Sequence, residues 1–407
     1  MKLTEDDIYR SSTQYRNWSF TPAQLTAQRL KTNQQASERV KAAVARQRAQ
    51  RARQSQLDSA NTSESERNEV VCLTPEEELK LVDTFCDVAQ KLGDFCNYPA
   101  EITATCIQFV RRFYLFNSPM TYEGQNITRT AMFIANKAES HFLDVEVFSS
   151  QCGKNSTAEK ILAPEYLIIQ ALRYNLDVKH PFRALKGGHL ELVELARGNL
   201  ATLPNASQTA TELQNEMLQL PRKAGGPAVK MTGPELEKRL GEAYGFAAYI
   251  LKTAALLTDS YFLYTPSQIW LAAHLLADEP VTLFYLSTKI PPSHPTYSKL
   301  VTTIRACATL ISSHRSYRSD RSSAEEKDIR DQQAREEIKA LVKKLRQCRD
   351  PDKVDLVKLN QAQKRDAVHE GGLEENKAKR RKLQREGYEK EADGFWGPDI
   401  AKNGGGK

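Results

Sequence analysis

One short pattern recurs along this 407-residue chain and constrains its fold class. A threonine is followed by a proline at the first or second position after it and by Glu or Gln at the third. The four examples are "TPAQ" at Thr21, "TPEE" at Thr74, "TGPE" at Thr232 and "TPSQ" at Thr265. These residues form the capping box that begins an α-helix, in which the threonine and the third side chain satisfy each other's free backbone N–H groups. The pattern therefore predicts four helix starts.

Apolar residues recur at helical spacing after these starts, for example at Leu79, Val82, Cys86 and Ala89. Alternating patterns of the kind that predict strands and hairpins are absent from the sequence. We therefore predict an all-α fold. In its first half, the expected helices cover residues 75–96, 99–117, 127–140, 144–151 and 158–176.

Changes in composition divide the chain into four predicted parts. Residues 1–73 comprise a basic helix near 22–54 and a polar linker that we expect to be disordered. Residues 74–180 form a compact helical domain, and residues 181–320 form a second one. A polar Gly/Pro/Asn-rich stretch at 203–231 interrupts the second domain and is expected to be a surface insertion. Residues 321–407 form a charged helix and a basic tail.

Composition excludes several classes of protein. The segment Met1 to Arg10 lacks the apolar region of a signal peptide, and no apolar run is long enough to cross a membrane, so we expect an intracellular protein. The seven cysteines include no C-x-x-C pair, which argues against a zinc site and a disulfide framework. We expect reduced cysteines, no membrane association and no cofactor.

The net charge of +7 is unevenly placed along the sequence. Between residues 28 and 53 there are eight Lys or Arg and one acid, Glu38. Such a block suits a nucleic acid, an acidic partner or simply a solvated helix face. The rest of the chain shows no basic surface with interleaved aromatic residues, so direct nucleic-acid binding is the less favoured alternative.

Motifs of catalysis are absent from the sequence. Neither the phosphate-binding G-x-x-x-x-G-K-S/T pattern nor G-x-G-x-x-G occurs, and His369-Glu370 lacks the second histidine of a zinc protease. The other histidines are scattered and do not pair at the spacing of metal ligands. The sequence thus favours a non-enzymatic binding protein.

Two charged residues stand out because they lie in apolar helical segments. Lys137 follows the apolar run "AMFIA", and Glu165 shares a helical stripe with Ile161 and Ile168. Taken singly, Lys137 is explained as a cation at a helix C-terminus and Glu165 as an acid in the first turn after Pro164. Taken together, they suggest a half-buried ion pair that grips the backbone of a partner protein.

Several longer stretches resemble a known family. "TATCIQFVRRFYLFNS" and "TAMFIANKAES" are similar to the second and third helices of a cyclin box, and "EKILAPEYLIIQALRYNLDVKHPF" is similar to its fifth helix and exit. "LLTDSYFLYTPSQIWLAAHLLAD" and "YRNWSF" resemble the second box and the N-terminal segment of the cyclin H branch. The resemblance to the cyclins implies two tandem five-helix boxes flanked by long N- and C-terminal helices.

The resemblance also implies a function. It implies a non-catalytic subunit that activates the cyclin-dependent kinase of the CDK-activating complex, together with a RING-finger assembly factor in TFIIH. Lys137 and Glu165 match the family's central kinase contact, and Tyr15, Trp18 and Phe20 match a segment that packs on the boxes or contacts the kinase. A nuclear protein is then expected, and the basic tail residues Lys377, Lys379, Arg380, Arg381 and Lys382 form a candidate nuclear localisation signal.

Two related alternatives stay open at this stage. A TFIIB-type transcription factor shares the fold and binds DNA, but it carries an N-terminal zinc ribbon, whereas this chain has no cysteine before Cys72. A cyclin C-type transcriptional cyclin is the nearer alternative. The chain departs from the cyclin pattern at Pro164, which predicts that the fifth helix starts or kinks there.

Overall fold

The structure, a computed structural model, describes residues 5–55, 70–153, 156–199, 208–317, 324–351 and 356–357. Within these ranges the regular secondary structure consists of helices, with no strand, which confirms the all-α prediction. No helix within the same ranges is both long and apolar enough to cross a bilayer. Residues 56–69 of the predicted disordered linker and the five basic tail residues lie outside the described residues, whereas Leu73, at the end of that linker, is buried in an apolar cluster.

We call the two predicted helical domains the first and the second box. Three helices precede the first box: α1 (Glu5–Ser11), α2 (Thr13–Trp18) and α3 (Pro22–Ser55). The predicted capping box at Thr21 is present, because the Thr21 N–H donates to the Gln24 side chain at 2.9 Å and the Gln24 N–H donates to Thr21 Oγ1 at 3.3 Å. The helix α3 is 34 residues long and confirms the prediction of a long helix near 22–54.

The first box contains α4 (Pro75–Phe95), α5 (Ala100–Phe116), α6 (Gly124–Ala138), α7 (Val145–Gln151), α8 (Ala158–Leu162) and α9 (Glu165–Ala171). The predicted capping box at Thr74 begins α4. The central helix is α5, whose residues from Ile102 to Leu115 are all buried. It packs between α4 and α6, so the apolar stretch that resembled a cyclin box forms the centre of this domain.

The predicted helix at 158–176 was wrong in extent, because the structure divides it into α8 and α9. Pro164 lies at the N-cap of α9, where its missing N–H is not needed, whereas inside a continuous helix it would remove a hydrogen bond and clash with the preceding turn. The helix also ends early, since Arg173 and Tyr174 have positive φ angles of 55° and 58°. Pro164 was the departure from the family pattern noted in the sequence.

The second box contains α10 (Phe182–Ala196), α11 (Ala210–Met217), α12 (Gly233–Lys252), α13 (Ala254–Leu257), α14 (Ser260–Leu263), α15 (Pro266–Ala277), α16 (Glu279–Lys289) and α17 (Pro295–Ser312). The capping boxes predicted at Thr232 and Thr265 begin α12 and α15. The helix α15 lies at the centre and packs against α10, α12, α16 and α17.

The stretch at 203–231 is only partly a surface insertion, contrary to the prediction. Thr209 forms a capping box with Glu212 and begins α11. Leu213, Met217 and Met231 are buried in an apolar cluster of the second box. Polar composition hid this helix, although Leu213 and Met217 stand four residues apart, the spacing that places two side chains on one helix face.

The C-terminal helix α18 (Ala324–Gln347) packs on the first box against α4. Leu341 and Leu345 of α18 join Val40 of α3 in a small apolar cluster. Lys344 donates to the Glu77 carboxylate at 2.6 Å. The two flanking helices implied by the cyclin resemblance therefore share one packing layer on the outer side of the first box.

A cluster of charges around the buried Arg111 connects α3 to both boxes. Arg29 of α3 donates to both carboxylate oxygens of Asp259, at 2.8 and 2.6 Å, and Arg111 of α5 donates to the same carboxylate at 2.7 Å. Arg111 also donates to Asp83 and to the Leu257 carbonyl, each at 2.9 Å. Burial alone would raise the pKa of Asp259, but the hydrogen bonds and charges of the two arginines lower it to about 2.

Two neighbouring glycines of α10 provide a matched test of the packing in the second box. A Cβ added at Gly188 would lie 2.6 Å from the Trp270 ring, whereas a Cβ at Gly187 would meet nothing within 4 Å. We expect Gly188→Ala to destabilise the protein by about 1–3 kcal/mol because the core must shift. Gly187→Ala should instead stabilise it by about 0.5–1 kcal/mol, as alanine favours a helix interior. Urea unfolding measures the stability of both variants. Equal effects would contradict the packing of Gly188 against Trp270.

Candidate functional site

The structure pairs the two charged residues singled out in the sequence. Lys137 lies in the last turn of α6, Glu165 is the first residue of α9, and Lys137 Nζ donates to Glu165 Oε1. Their side chains are 40% and 21% exposed, so the pair is half-buried and open to solvent on one side. Lys137 Nζ also lies over the Phe133 ring, 4.5 Å from its centroid. The pair can therefore be covered by a partner protein.

Local helix structure explains why these two side chains meet. The apolar face of α6, including Ala131 and Ile134, is buried against the core, which leaves Lys137 at the helix edge. The Thr130 hydroxyl donates to the Ile161 carbonyl at 2.7 Å and holds α8 against α6. A cation at a helix C-terminus and an anion at a helix N-terminus are each favoured by the helix dipole. Lys137 as a cation at a helix C-terminus and Glu165 as an acid at a helix N-terminus are therefore both compatible with the ion pair.

Exposed apolar side chains lie on α7, α8 and α9 and on the loop between α6 and α7, and they were not identified in the sequence. Phe142 is 83% exposed, Tyr166 is 67%, Val147 is 49% and Leu162 is 37%. Apolar side chains exposed in one region indicate an interaction surface. Phe142 could have been suspected from the sequence, because it is a large apolar residue in the polar stretch that follows Lys137.

A chain of partly buried hydrogen bonds begins two residues after Lys137. The Thr105 hydroxyl donates to Glu139 at 2.6 Å, so its oxygen accepts from His180 Nε2 at 2.8 Å. His180 Nδ1 then accepts from the Tyr261 hydroxyl at 3.0 Å. Glu139 caps α6 two residues after Lys137, and Tyr261 belongs to α14. The chain connects the end of α6 to the second box.

Two histidines, His180 and His274, are held neutral by their surroundings. Burial, aided by the charge of Arg112, lowers the pKa of His180 to about 3. Burial likewise lowers the pKa of His274 to about 4, and His274 Nδ1 lies 2.7 Å from the Thr282 hydroxyl. No set of His, Cys, Asp and Glu side chains that could hold a metal ion occurs in the described part of the chain.

The three aromatic residues of the N-terminal segment have different environments. Trp18 is fully buried, and its ring packs edge-on against Phe116 at 5.9 Å. Phe20 packs against Phe262 at 5.9 Å, and its N–H donates to the Phe262 carbonyl at 2.8 Å. Tyr15 is 40% exposed. Two of the three residues therefore anchor the segment on the boxes, while Tyr15 remains accessible.

The N-terminal segment packs on Arg112. Its guanidinium carbon lies 5.0 Å from the Trp18 ring centroid, and it donates to Gln14 at 3.3 Å. The Gln14 side chain also accepts from the Lys179 N–H at 2.7 Å. Burial lowers the pKa of Arg112 to about 10, so it stays charged near neutral pH. The pair Arg111-Arg112 in an otherwise apolar helix was the sequence signal for these contacts, and it was missed.

Each of the two helical domains matches a known family. Residues 52–177 match the model of the cyclin N-terminal domain, and residues 180–312 match that of the cyclin C-terminal domain. The protein is thus an all-α chain with two cyclin domains. The chain belongs to the cyclin family.

Three similar proteins are themselves cyclins. The chain is 31% identical to "Cyclin CCL1" of Saccharomyces cerevisiae over 294 residues, which cover 71% of this chain and 63% of that protein. It is 28% identical to "Cyclin mcs2" of Schizosaccharomyces pombe, over 74% of this chain and 79% of the relative. It is 27% identical to cyclin-H of Xenopus laevis, over 44% of this chain and 52% of the relative. The resemblance to the cyclin H branch is confirmed.

Two solved structures are similar to this chain. A chain of the CAK complex of Chaetomium thermophilum bound to ATP-gamma-S superimposes with a TM-score of 0.66 and 32% identity, covering 91% of this chain and 98% of the other. A chain of the yeast TFIIK complex of Kin28, Ccl1 and Tfb3 matches with a TM-score of 0.51 and 28% identity, covering 74% and 100%. These matches favour the cyclin prediction over the TFIIB-type and cyclin C-type alternatives.

We expect His180 to make stability depend on pH. Its pKa is about 3 in the folded chain and near 6.5 when unfolded, so its contribution is complete above pH 6.5 and is lost as the pH falls toward 3. Stability should fall by about 2 kcal/mol from this residue between about pH 6.5 and pH 5. Urea unfolding of His180→Gln should show a flatter pH dependence than the wild type.

The variant Tyr261→Phe is the control for this experiment. It removes the hydroxyl that donates to His180 Nδ1 but leaves the imidazole buried, so it should lower stability and keep the pH dependence. A His180→Gln curve parallel to that of the wild type would contradict the assignment.

Proposed function

We propose that this cyclin is the regulatory, non-catalytic subunit of a CDK-activating kinase. It binds and activates a cyclin-dependent kinase and thereby supports phosphorylation of the RNA polymerase II C-terminal repeats and of CDK activation loops. In this proposal we assign the first box to residues 74–180 and the second to residues 181–320. The similarity to chains of the CAK and TFIIK complexes supports this proposal.

The ion pair of Lys137 and Glu165 is the observation that carries the proposal. It joins the end of α6 to the start of α9 and leaves one side open, and the exposed side chains of Phe142, in the loop after α6, and Tyr166, in α9, belong to the same domain. An interface of this composition, with charges that can be desolvated among apolar and aromatic side chains, is typical of energetically important contacts between proteins. The two positions match the central kinase contact of the cyclin family.

The mechanism that we propose is mechanical rather than chemical. The first box docks beside the αC helix of the kinase, turns the glutamate of that helix toward the catalytic lysine and helps to order the activation loop. The cyclin contributes no atom to phosphoryl transfer. Its rigid core, centred on α5, supplies the fixed surface against which the kinase helix rotates.

Further partners follow from the same proposal. A RING-finger assembly factor and the other TFIIH subunits complete the complex, in which we expect a nuclear protein with no membrane partner. The similarity to a chain of the yeast complex of Kin28, Ccl1 and Tfb3 supports a third subunit. The basic residues between Lys377 and Lys382 are the proposed nuclear localisation signal.

Replacing either member of the ion pair should weaken kinase binding. With the cognate kinase, the wild type should form a stable heterodimer that buries more than about 2,000 Å². Lys137→Ala and Glu165→Ala should each cost about 3–5 kcal/mol of binding free energy, because each leaves an unpaired charge in a desolvated contact. Calorimetry measures the affinity, and kinase assays measure activation.

Two further variants separate a kinase contact from a purely structural pair. The exchange Lys137→Glu with Glu165→Lys preserves an ion pair but reverses the charges that face the kinase, so binding should stay weak. Arg305→Ala breaks a matched ion pair with Glu279 between helices of the second box and should leave binding unchanged. Full binding by the exchanged variant, or a wild type that activates no kinase, would overturn the proposal.

Substitutions of the N-terminal aromatic residues should distinguish a role in packing from a contact with the kinase. Trp18→Ala should destabilise the chain by about 3–5 kcal/mol, since it empties a fully buried site. Tyr15→Ala should change stability by less than about 0.5 kcal/mol but cost about 1–2 kcal/mol of kinase binding, as truncation of an exposed interface aromatic does. Thermal unfolding and calorimetry test the two claims. A Tyr15→Ala variant with unchanged kinase affinity would restrict the segment to packing.

A further inference from the structure

The end of α9 has a backbone conformation that its residues do not favour. Arg173 and Tyr174 both lie in the left-handed region, with φ angles of 55° and 58°. The Tyr174 N–H donates to the Ile169 carbonyl at 3.0 Å. The Arg173 N–H donates to the Gln170 carbonyl at 2.9 Å, and the two bonds form the Schellman ending of a helix. Glycine usually occupies the first residue after such a helix, because a Cβ atom makes the left-handed conformation costly.

The Arg173 side chain makes a contact that offsets this cost. Its guanidinium carbon lies 5.0 Å from the Phe116 ring centroid and 5.6 Å from the Trp18 ring centroid. A guanidinium group is attracted to the face of an aromatic ring. The two rings pack edge-on against each other, and Trp18 is fully buried. The N-terminal segment, through Trp18, and α5, through Phe116, therefore hold the left-handed turn in place.

The turn arranges two exposed tyrosines next to the ion pair that carries the proposed function. Tyr174 is 61% exposed, and its hydroxyl donates at 3.2 Å to the hydroxyl of Tyr166, which is also exposed. Tyr166 directly follows Glu165 in the first turn of α9, so the Cα atoms of these two residues are about 3.8 Å apart. Tyrosine is enriched in protein interfaces, and exposed aromatic side chains that stand together are typical of them. We call Tyr166 and Tyr174 the tyrosine pair.

Helix ending alone does not account for an arginine at this position. A glycine at position 173 would end α9 in the same way without any contact to the aromatic rings. The arginine instead makes the conformation of the turn depend on the docked N-terminal segment. An unfavourable conformation that the surrounding structure holds in place is a mark of a functional site.

We propose that Arg173 is a positioning residue that links the N-terminal segment to the kinase-binding surface. By packing on the two aromatic rings, Arg173 keeps the tyrosine pair in one arrangement beside Glu165, where both tyrosines contact the kinase. Arg173 itself does not touch the kinase. Without its contact the turn exchanges among conformations, and the affinity falls with the fraction that keeps the binding arrangement. This inference rests on the proposed kinase function and adds a second contact to it.

Three substitutions at one position separate positioning from direct contact. Arg173→Ala removes the cation and does not favour the left-handed conformation, so kinase affinity should fall about fivefold to tenfold. Arg173→Lys keeps a cation for the rings, and Arg173→Gly favours the turn through its backbone alone, so both should bind within about twofold of the wild type. Calorimetry measures binding of the full-length variants to the cyclin-dependent kinase that co-purifies with the wild-type chain. Circular dichroism verifies that each variant is folded.

Substitutions of the tyrosine pair test the contact itself. Tyr174→Ala and Tyr166→Ala should each weaken kinase binding about fivefold to tenfold, as truncation of an interface tyrosine does. Adding Arg173→Ala to the Tyr174→Ala chain should weaken binding less than about twofold further, because the arginine acts through the tyrosine pair.

Two matched controls come from outside the turn. Phe95→Ala truncates another exposed aromatic residue of the first box. Lys289→Ala removes a cation that lies 5.1 Å from the Tyr285 ring centroid in the second box. Both variants should bind the kinase within about twofold of the wild type, since most single truncations outside a contact are close to neutral.

Four outcomes would overturn the inference. An Arg173→Gly variant that binds as weakly as Arg173→Ala would mean that the arginine touches the kinase directly. An Arg173→Lys variant as weak as Arg173→Ala would contradict the role of the aromatic rings. Wild-type affinity in Tyr174→Ala and Tyr166→Ala would remove the tyrosine pair from the interface. A loss of equal size in Phe95→Ala would reduce the effect to exposed apolar area.

The ion-pair variants distinguish failure of this inference from failure of the proposed function. If Lys137→Ala and Glu165→Ala weaken kinase binding while any of the four outcomes occurs, the inference about Arg173 fails alone. If both ion-pair variants bind as tightly as the wild type, the kinase-binding surface is wrongly placed, and the inference fails with it.

Discussion

The carboxylate of Asp259, shared by Arg111 and Arg29, is the contact on which the arrangement of α3 and the two boxes depends. Arg111 belongs to the central helix of the first box, Asp259 to the second box and Arg29 to the N-terminal helix, so one carboxylate joins three parts that are far apart in sequence. A charge left unpaired at this depth is costly, which makes the three groups interdependent. Their geometry fixes the two boxes and α3 relative to one another.

The same arrangement holds the proposed kinase-binding surface in place. The helices α6 and α9 rest on α5, and the hydrogen-bond chain from Glu139 through His180 to Tyr261 ties the end of α6 to the second box. Lys137 is two residues from Glu139, so the ion pair is held by both boxes although its residues belong to the first. A partner that binds there meets a surface that does not have to be ordered first.

Capping boxes and apolar spacing predicted most of the helices. They failed where a polar composition masked residues that are buried in the structure. Capping boxes at Thr21, Thr74, Thr232 and Thr265 begin helices in the structure because the donors that they satisfy are local. The helix at 210–217 was missed, since its few apolar residues stand in a polar stretch and their burial depends on distant partners. The exposed Phe142 and Tyr166 were missed for the same reason, because exposure is a property of the folded chain.

The sequence by itself determined the all-α class, the capped helix starts, the break at Pro164 and the two charged positions, Lys137 and Glu165. It also determined the family, through stretches whose apolar pattern is that of cyclin boxes. Only the tertiary structure decided that the two charges meet, that Trp18 is buried on Arg112 and that Asp259 joins the boxes. The reason is physical: capping and helix propensity act within one turn, whereas ion pairs and burial depend on which distant segments pack together.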